Sequence, residues 1–562
     1  MDMRFKNNLF HKRSFTMVKK LVCLIAAVGL ALGMSACAGS AAIDMDKSAN
    51  ISSNGGFLVE TGDYVYFING VESYSTTYKT GEVVKAALMR TSKKNLAKLG
   101  KDGLSDGDYE TVVNKLLVSG DKTAGFYIYG DYVYYAVPST EKNSKGEVKS
   151  SVLNFFRTKL DGTDTSAKIT NEDYDSSVQF RFIESNGKVY LAIYNTALYV
   201  YDAEDRKLVY DSSDKNSDNI LKTAIDELVF DEENASNVIY FTTKPIDENL
   251  YDADSDDAQQ VKYHEIHKYV VGEKTSQVAL SLAGKYNGKN IGENGGAGLT
   301  GATADLIAHK GGQLYFSYTV LDSTVASTTY VAVKDSDVGN SEKTWKAVEN
   351  EENILNYGDK NATAIFADSA YIVDKNCIIY VDSSYGLLKY DYTAHDEAGT
   401  DFGVTKLFYS ENITSATLYG VVGDYLYYYD SSNYYYRVNF KAISEGREGE
   451  EIKLNKIAYS SGWYAPEVVK DGERTLLVGV YTGTVYGSYA YAIDVEAVEN
   501  AYREAKASED GADDFYTIDE TYEFVKGVVT GTKLGVMNDT DKTAYEEYIG
   551  NLKHEPAEET AE

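Results

Sequence analysis

Asp252, Asp254, Asp256 and Asp257 stand together in one short stretch. Carboxylates at alternate positions are a common way to surround calcium, a hard cation that takes several oxygen ligands. The spacing fails as a helix–loop–helix calcium loop, because Asp257 stands where Gly is needed and Tyr263 where the bidentate Glu belongs. A solvated acidic loop is the plainer reading. It leaves room for weak calcium binding and implies no other cofactor. Asp252, Asp254 and Asp256 are then the candidate contacts for a cation or a basic partner. His264-Glu265-Ile266-His267 is not the zinc helix pattern, which needs His at i and i+4. In a strand, residues i and i+3 point to opposite faces. Gly296-Ala297-Gly298-Leu299-Thr300-Gly301 matches the spacing of a dinucleotide-binding turn. No strand is expected to lead into it and no helix follows, so these read as loop glycines.

No nucleophilic signature stands in a fitting context. Gly103-Leu104-Ser105-Asp106-Gly107 has the G-x-S-x-G spacing, but the β-branched run Thr111-Val112-Val113 follows it where a nucleophile elbow leads into a helix. Asp337-Val338-Gly339 with Trp345 approaches the Asp-box of sialidase propellers, but the Trp is too far away and Asp335 replaces the usual Ser or Thr. Paired carboxylates for glycoside hydrolysis leave no local trace, so which acids converge is open at this stage.

The N-terminus carries an address. Arg4, Lys6, Lys12, Arg13, Lys19 and Lys20 precede an apolar run from Leu21 to Met34, followed by small residues. That run suits a signal-peptide core and is short of the ~20 residues a spanning helix needs. Met34-Ser35-Ala36-Cys37 resembles a bacterial lipobox. The resemblance implies cleavage before Cys37, a diacylglyceryl group on its sulfur, and an extracytoplasmic protein anchored to the cell membrane. Cys23 leaves with the leader, so Cys377 alone remains in the body and no disulfide framework forms.

Composition describes what must position any site. Lys and Arg number 55 against 86 Asp and Glu, a formal charge of −31. That balance excludes nucleic acid as a partner, because phosphate binding needs clustered basic side chains. Fifty Tyr, two Trp and four Pro favour strands with few interruptions. The hydrophobic fraction of 43% is ample for a large core.

A phrase repeats. Gly62-Asp63-Tyr64-Val65-Tyr66-Phe67 recurs as Gly130-Asp131-Tyr132-Val133-Tyr134-Tyr135 and Gly423-Asp424-Tyr425-Leu426-Tyr427-Tyr428. Five weaker copies bring the total to eight, including Gly311 to Phe316. One column is Tyr in seven of them: Tyr66, Tyr134, Tyr190, Tyr240, Tyr315, Tyr380 and Tyr427, with Leu476 in the eighth. Successive Tyr lie 47 to 75 residues apart, the length of a four-stranded propeller blade with insertions. A second strand with a basic or polar exit follows, as in Met89-Arg90, Phe156-Arg157 and Tyr436-Arg437. The column is read as filling space between blades, each ring burying ~150–250 Å². Tyr392, Tyr434 and Tyr464 are candidates for exposure instead.

These phrases resemble the Tyr-rich repeat domain of unknown function found in exported lipoproteins of Gram-positive bacteria, akin to the YWTD propellers of lipoprotein receptors. The resemblance spans Gly55 to Asp494, implies a β-propeller, and transfers no catalytic residue. The expected fold is therefore all-β, a single propeller of eight blades with seven as the alternative, closed by strands from both ends of the chain. A short helical and acidic extension follows.

Residues 1–36 read as the lipoprotein signal peptide, 37–54 as a tether, 55–530 as the propeller and 531–562 as an acidic tail. The long connections Asn69–Lys85, Pro138–Ser151, Lys244–Gln260 and Ala283–Thr303 are expected on one face, where strands 2 and 3 of a blade join and where blade joins blade. The expected function is a non-enzymatic surface binding or scaffold module for an extracellular glycan or protein. The alternative is an exported glycan-active hydrolase with two carboxylates near the propeller axis.

Overall fold

A computed structural model describes residues 50–523, apart from internal stretches of which 70–86, 97–106, 114–125, 356–369, 392–402, 457–466 and 508–520 are the longest. Cys37, Asp252, Asp254 and Asp256 lie outside the described residues, as do the leader and the acidic tail.

The architecture is an all-β propeller with few helices. In chain order the strands form eight sheets of four or more strands and one two-stranded ribbon. Sheet 1 runs Leu58–Glu60, Tyr64–Asn69, Ala87–Ser92, Tyr109–Val113. Sheet 2 centres on Phe126–Tyr129, Tyr132–Pro138 and Val152–Lys159. Sheet 3 is Gln179–Ser185, Lys188–Tyr194, Leu198–Asp202, Lys207–Asp211, and sheet 4 is Ile225–Val229, Val238–Thr243, Glu265–Val270, Gln277–Ser281. Sheet 6 is Tyr371–Asp374, Cys377–Asp382, Gly386–Tyr390, Val404–Phe408. Sheet 7 is Thr417–Val422, Tyr425–Tyr429, Tyr434–Asn439, Ile452–Lys456. Sheet 8 is Glu467–Asp471, Arg474–Gly483, Gly487–Asp494, Thr521–Glu523.

These seven share the up-and-down build of a blade. Sheet 5 differs. Three long strands, Leu299–Lys310, Gln313–Asp322 and Val325–Lys334, are extended by a hairpin, Ile246–Tyr251 and Ala258–Tyr263, inserted between strands 2 and 3 of sheet 4. That hairpin joins by a parallel pairing of Tyr263 with Ala302. The propeller thus has seven blades of regular build, the alternative count, and the tyrosine-column copy at Gly311 to Phe316 falls in the sheet of mixed build. Gly301, read as loop, lies inside the first long strand of that sheet.

The turn chemistry of the repeated phrase is visible in the backbone. Gly130 and Gly423 open their hairpins at φ +58° and +59°, as a turn with one left-handed residue requires. Asn186 and Gly187 both have positive φ, the mirror-image turn that suits strand twist. Burial then falls from the inner to the outer strand. Every residue of Val238–Thr243 is buried, whereas in Lys207–Asp211 only Tyr210 is. Strands covered on both faces need no polar alternation, which is why the sequence reads as continuous apolar runs.

The chain divides into two compact units. One is Val178–Leu418 with Ala442–Glu448, holding sheets 3 to 6; the other holds sheets 1, 2 and 8 and most of sheet 7. In the second unit the strand Tyr64–Asn69 of sheet 1 packs near Gly487–Asp494 of sheet 8. No described sheet mixes strands from the two ends, contrary to expectation. Asn50–Ser52 pairs instead with Phe126–Tyr129 of sheet 2, and Thr521–Glu523 takes the outer edge of sheet 8. The helix Val495–Ala507 packs against the outer strand of sheet 7 and against sheet 8.

Candidate functional site

The inserted hairpin of sheet 5 carries the acidic connection 252–257, and its base is a polar cluster. Lys222 lies ahead of sheet 4, in a blade-to-blade connection, while Glu248 and Tyr263 lie in a connection between strands 2 and 3. Topology thus brings both kinds of connection together at one end of sheet 4. The Lys222 ammonium donates to the Tyr263 hydroxyl at 2.8 Å and pairs with Glu248 Oε1 at 3.0 Å. It also lies 3.4 Å from Glu265 Oε1. The Tyr263 hydroxyl donates to Glu248 Oε2 at 2.7 Å. Behind them the buried pair Glu265 and His267 is joined at 3.2 Å, and His267 stacks on Phe241 with ring centroids 5.1 Å apart.

His264 and His267 do face opposite ways. His264 Nδ1 lies 3.1 Å from the Ala304 carbonyl, and the His264 backbone N–H donates to the Ala302 carbonyl at 3.1 Å. This residue therefore stitches the inserted hairpin to the long strands of sheet 5. The histidines do not share a ligand position.

The charges of the cluster are locked. Burial pulls the Lys222 pKa down, but hydrogen bonds to Tyr263 and Glu248 and the Glu265 charge outweigh it and hold it above the ordinary lysine value. Glu248, hydrogen-bonded by Tyr263 and Lys222, lies below the usual carboxylate range. Burial pushes Glu265 up, yet His267 and Lys222 bring it below that range as well. Two ionised carboxylates around one ammonium make a tie. A glycoside-cleaving pair instead needs one carboxyl held protonated near neutral pH.

A second polar cluster joins sheets 4 and 5. Asp335 accepts from the Tyr240 hydroxyl at 3.0 Å and from Ser236 Oγ at 3.1 Å, and pairs with His309 Nε2 at 3.0 Å. Tyr240 and His309 are fully buried and meet edge to face at 5.1 Å. Burial raises Asp335, but His309, Tyr240 and Ser236 outweigh it and hold it below the carboxylate range. The carboxylate sits between Ser236 and His309, so the histidine is not placed to activate the serine. Asp335 is the residue that spoiled the Asp-box, and here it latches one sheet to the next.

Five of the column tyrosines are buried: Tyr66, Tyr134, Tyr240, Tyr315 and Tyr427. Tyr190 and Tyr380 are half-buried. In sheets 1, 2 and 7 the column Tyr faces Arg90, Arg157 and Arg437 across the strands. Each Arg lies over the ring of the Tyr two residues earlier, at 4.9 Å from Tyr64, 4.6 Å from Tyr132 and 4.2 Å from Tyr425. The phrase Gly-Asp-Tyr-x-Tyr with its basic exit is thus a cation–π ladder. Arg437 is buried and ion-paired to Glu499 of the helix Val495–Ala507. Tyr434 is half-buried, with Lys453 over its ring, while Tyr392 and Tyr464 lie outside the described residues. Burial lifts the Cys377 thiol to about 11, which favours the thiol over the nucleophilic thiolate at neutral pH. Among the described residues no group of three His, Cys, Asp or Glu is placed to hold a metal ion.

Lys222, Glu248 and Asp335 carried no sequence signal, because their partners are 15 to 99 residues away or in neighbouring sheets. No protein-family model matches the sequence, and no curated protein matches it. Among solved structures the chain is similar to the computationally designed protein Ika8, with a TM-score of 0.32 and 9% identity over 73% of this chain and 93% of that one. It is also similar to a chain of the mitotic checkpoint complex, at a TM-score of 0.26 and 9% identity over 62% and 80%. Likeness of that degree carries no argument about function.

Proposed function

We propose that the protein is a lipid-anchored cell-surface propeller that acts as a non-enzymatic binding or scaffold module for an extracellular glycan or protein. The observation that carries this reading is the inserted hairpin. Its base is tied by Lys222, Glu248, Tyr263 and Glu265 to a buried framework, and its connecting segment holds Asp252, Asp254 and Asp256. Variable loops on a rigid scaffold are where recognition is usually placed. The three aspartates are the proposed contacts for a cation, calcium included, or for a basic partner. The ionised state of both Glu248 and Glu265 supports a binding role for this region over the hydrolase alternative. The anchor rests on Cys37 in its lipobox-like context, and among the described residues no helix is long and apolar enough to cross a membrane.

The test is a glycan and wall-polymer array probed with the purified chain, with and without calcium, beside a screen for released sugar. Binding without turnover is expected. Sugar release abolished by one Asp or Glu substitution would defeat the reading. Cys37→Ala should lose lipid labelling and move to the soluble fraction; retention in the membrane would defeat the anchor.

A further inference from the structure

Among the described residues only three large hydrophobic side chains are exposed, and two of them lie on either side of Gly386 at one end of sheet 6. Tyr385 is 61% exposed, in the turn joining strands 2 and 3 of that sheet. Tyr409 is 50% exposed and directly follows strand 4, at the start of the blade-to-blade connection. Gly386 separates them. Its φ is +81°, and a Cβ there would come within 2.6 Å of the Phe408 carbonyl oxygen and 3.2 Å of the Tyr409 ring. The backbone therefore approaches this closely only because residue 386 is glycine. Lys406 lies over the Tyr409 ring at 4.8 Å. The Asp382 carboxylate caps the turn, accepting from the backbone N–H groups of Ser384 at 2.8 Å and Tyr385 at 2.9 Å. Both rings are thus presented by fixed backbone, on the same kinds of connection that meet at the inserted hairpin.

We propose that Tyr385 and Tyr409 form a stacking corner for neutral polysaccharide, a deepening of the binding-module reading on which it rests. Aromatic faces take the C–H face of a pyranose ring by the same apolar and electrostatic contacts that pair aromatic rings. Two rings are too small for a stable protein interface, which buries ~800 Å² per partner around an apolar centre. The third exposed apolar side chain, Leu208, belongs to sheet 3 and does not extend the corner. A formal charge of −31 repels polyanionic glycans and leaves uncharged ones as the occupant. Hydroxyl-rich sugars also suit the polar rim of Ser384, Lys406 and Glu411, all exposed.

The test is affinity gel electrophoresis of the full chain in detergent against dextran, a β-1,3-glucan and a galactomannan, with dextran sulfate as the charged arm. At least one neutral polymer should retard the chain, and about 0.5 M salt, which screens charge, should leave that retardation unchanged. Tyr385→Ala and Tyr409→Ala should each weaken it about tenfold, the worth of ~1.4 kcal/mol. Tyr385→Trp should keep it, and all variants should melt as the parent does. Absence of retardation by every neutral polymer, or equal retardation of the double alanine variant, would overturn the proposal. Retardation of parent and double variant alike by a neutral polymer would remove the corner while leaving the binding-module reading intact. Cleavage of a bound neutral polymer, stopped by one carboxylate substitution but bound through the tyrosines, would do the reverse.

Discussion

Sheets 1, 2 and 7 carry the same tyrosine at the same strand position as sheets 3, 4 and 6, and surround it differently. In the first group an arginine on the next strand faces it. In sheet 3 the facing residue is Asp202, in sheet 4 Lys268 and in sheet 6 Leu388. The consequence is a change in where each polar group finds its partner. Arg90 and Arg437 donate toward the Tyr66 and Tyr427 hydroxyls at 3.4 Å within one sheet. The Tyr240 hydroxyl instead reaches Asp335 of sheet 5, and the Tyr190 ring abuts Gly272 of sheet 4. One residue type therefore serves as a lock within a sheet in one region and as a latch between sheets in the other.

Removing the tyrosine itself should produce the largest effect. Tyr427→Ala should cost about 3–5 kcal/mol in chemical denaturation, since it deletes a buried ring beside a buried guanidinium. Tyr190→Ala, at a half-buried position, should cost about half as much. Equal losses would erase the distinction between lock and latch. The arginines sharpen it further. Glu499→Ala leaves the buried Arg437 charge with only the more distant Glu496, at 3.7 Å, and should cost about 3 kcal/mol. Glu110→Ala, in the matching pair of sheet 1 where Glu110 is 63% exposed, should cost under about 1 kcal/mol. A larger loss at Glu110 than at Glu499 would reverse the assignment.

The latch predicts a smaller, chemically specific effect. Asp335→Asn should cost about 2 kcal/mol by weakening its bonds to His309, Tyr240 and Ser236. Acid should do the same to the wild type. Asp335 and Glu265 both have folded pKa values below their ordinary ones. Their contribution is present above the unfolded pKa of about 4 and is lost as pH falls through the lower folded values. The melting temperature should therefore drop below pH ~4, and Asp335→Asn with Glu265→Gln should flatten that limb. An unchanged acid limb in the double variant would place the acid-sensitive groups elsewhere.

Period and turn chemistry were legible without coordinates. Gly-Asp and Asn-Gly pairs demand particular φ values, and a strand of continuous apolar character demands cover on both faces. Both are local properties, so the repeated phrase determined strand 2 of each sheet and the propeller that follows from it. The helix Val495–Ala507 was legible for the same reason, in its Ala, Glu and Lys content. Tertiary structure alone decided which distant groups converge. Lys222 meets Glu248 and Glu265, and Asp335 meets His309 and Tyr240, because insertions and neighbouring sheets fold back on one another. It also decided that the hairpin 246–263 leaves sheet 4 for sheet 5, since a free strand edge pairs with whichever backbone lies alongside it. Tyr385 and Tyr409 are two among fifty tyrosines by composition. Only the fold, by burying or half-burying the other tyrosines it describes, distinguishes the pair that stands exposed.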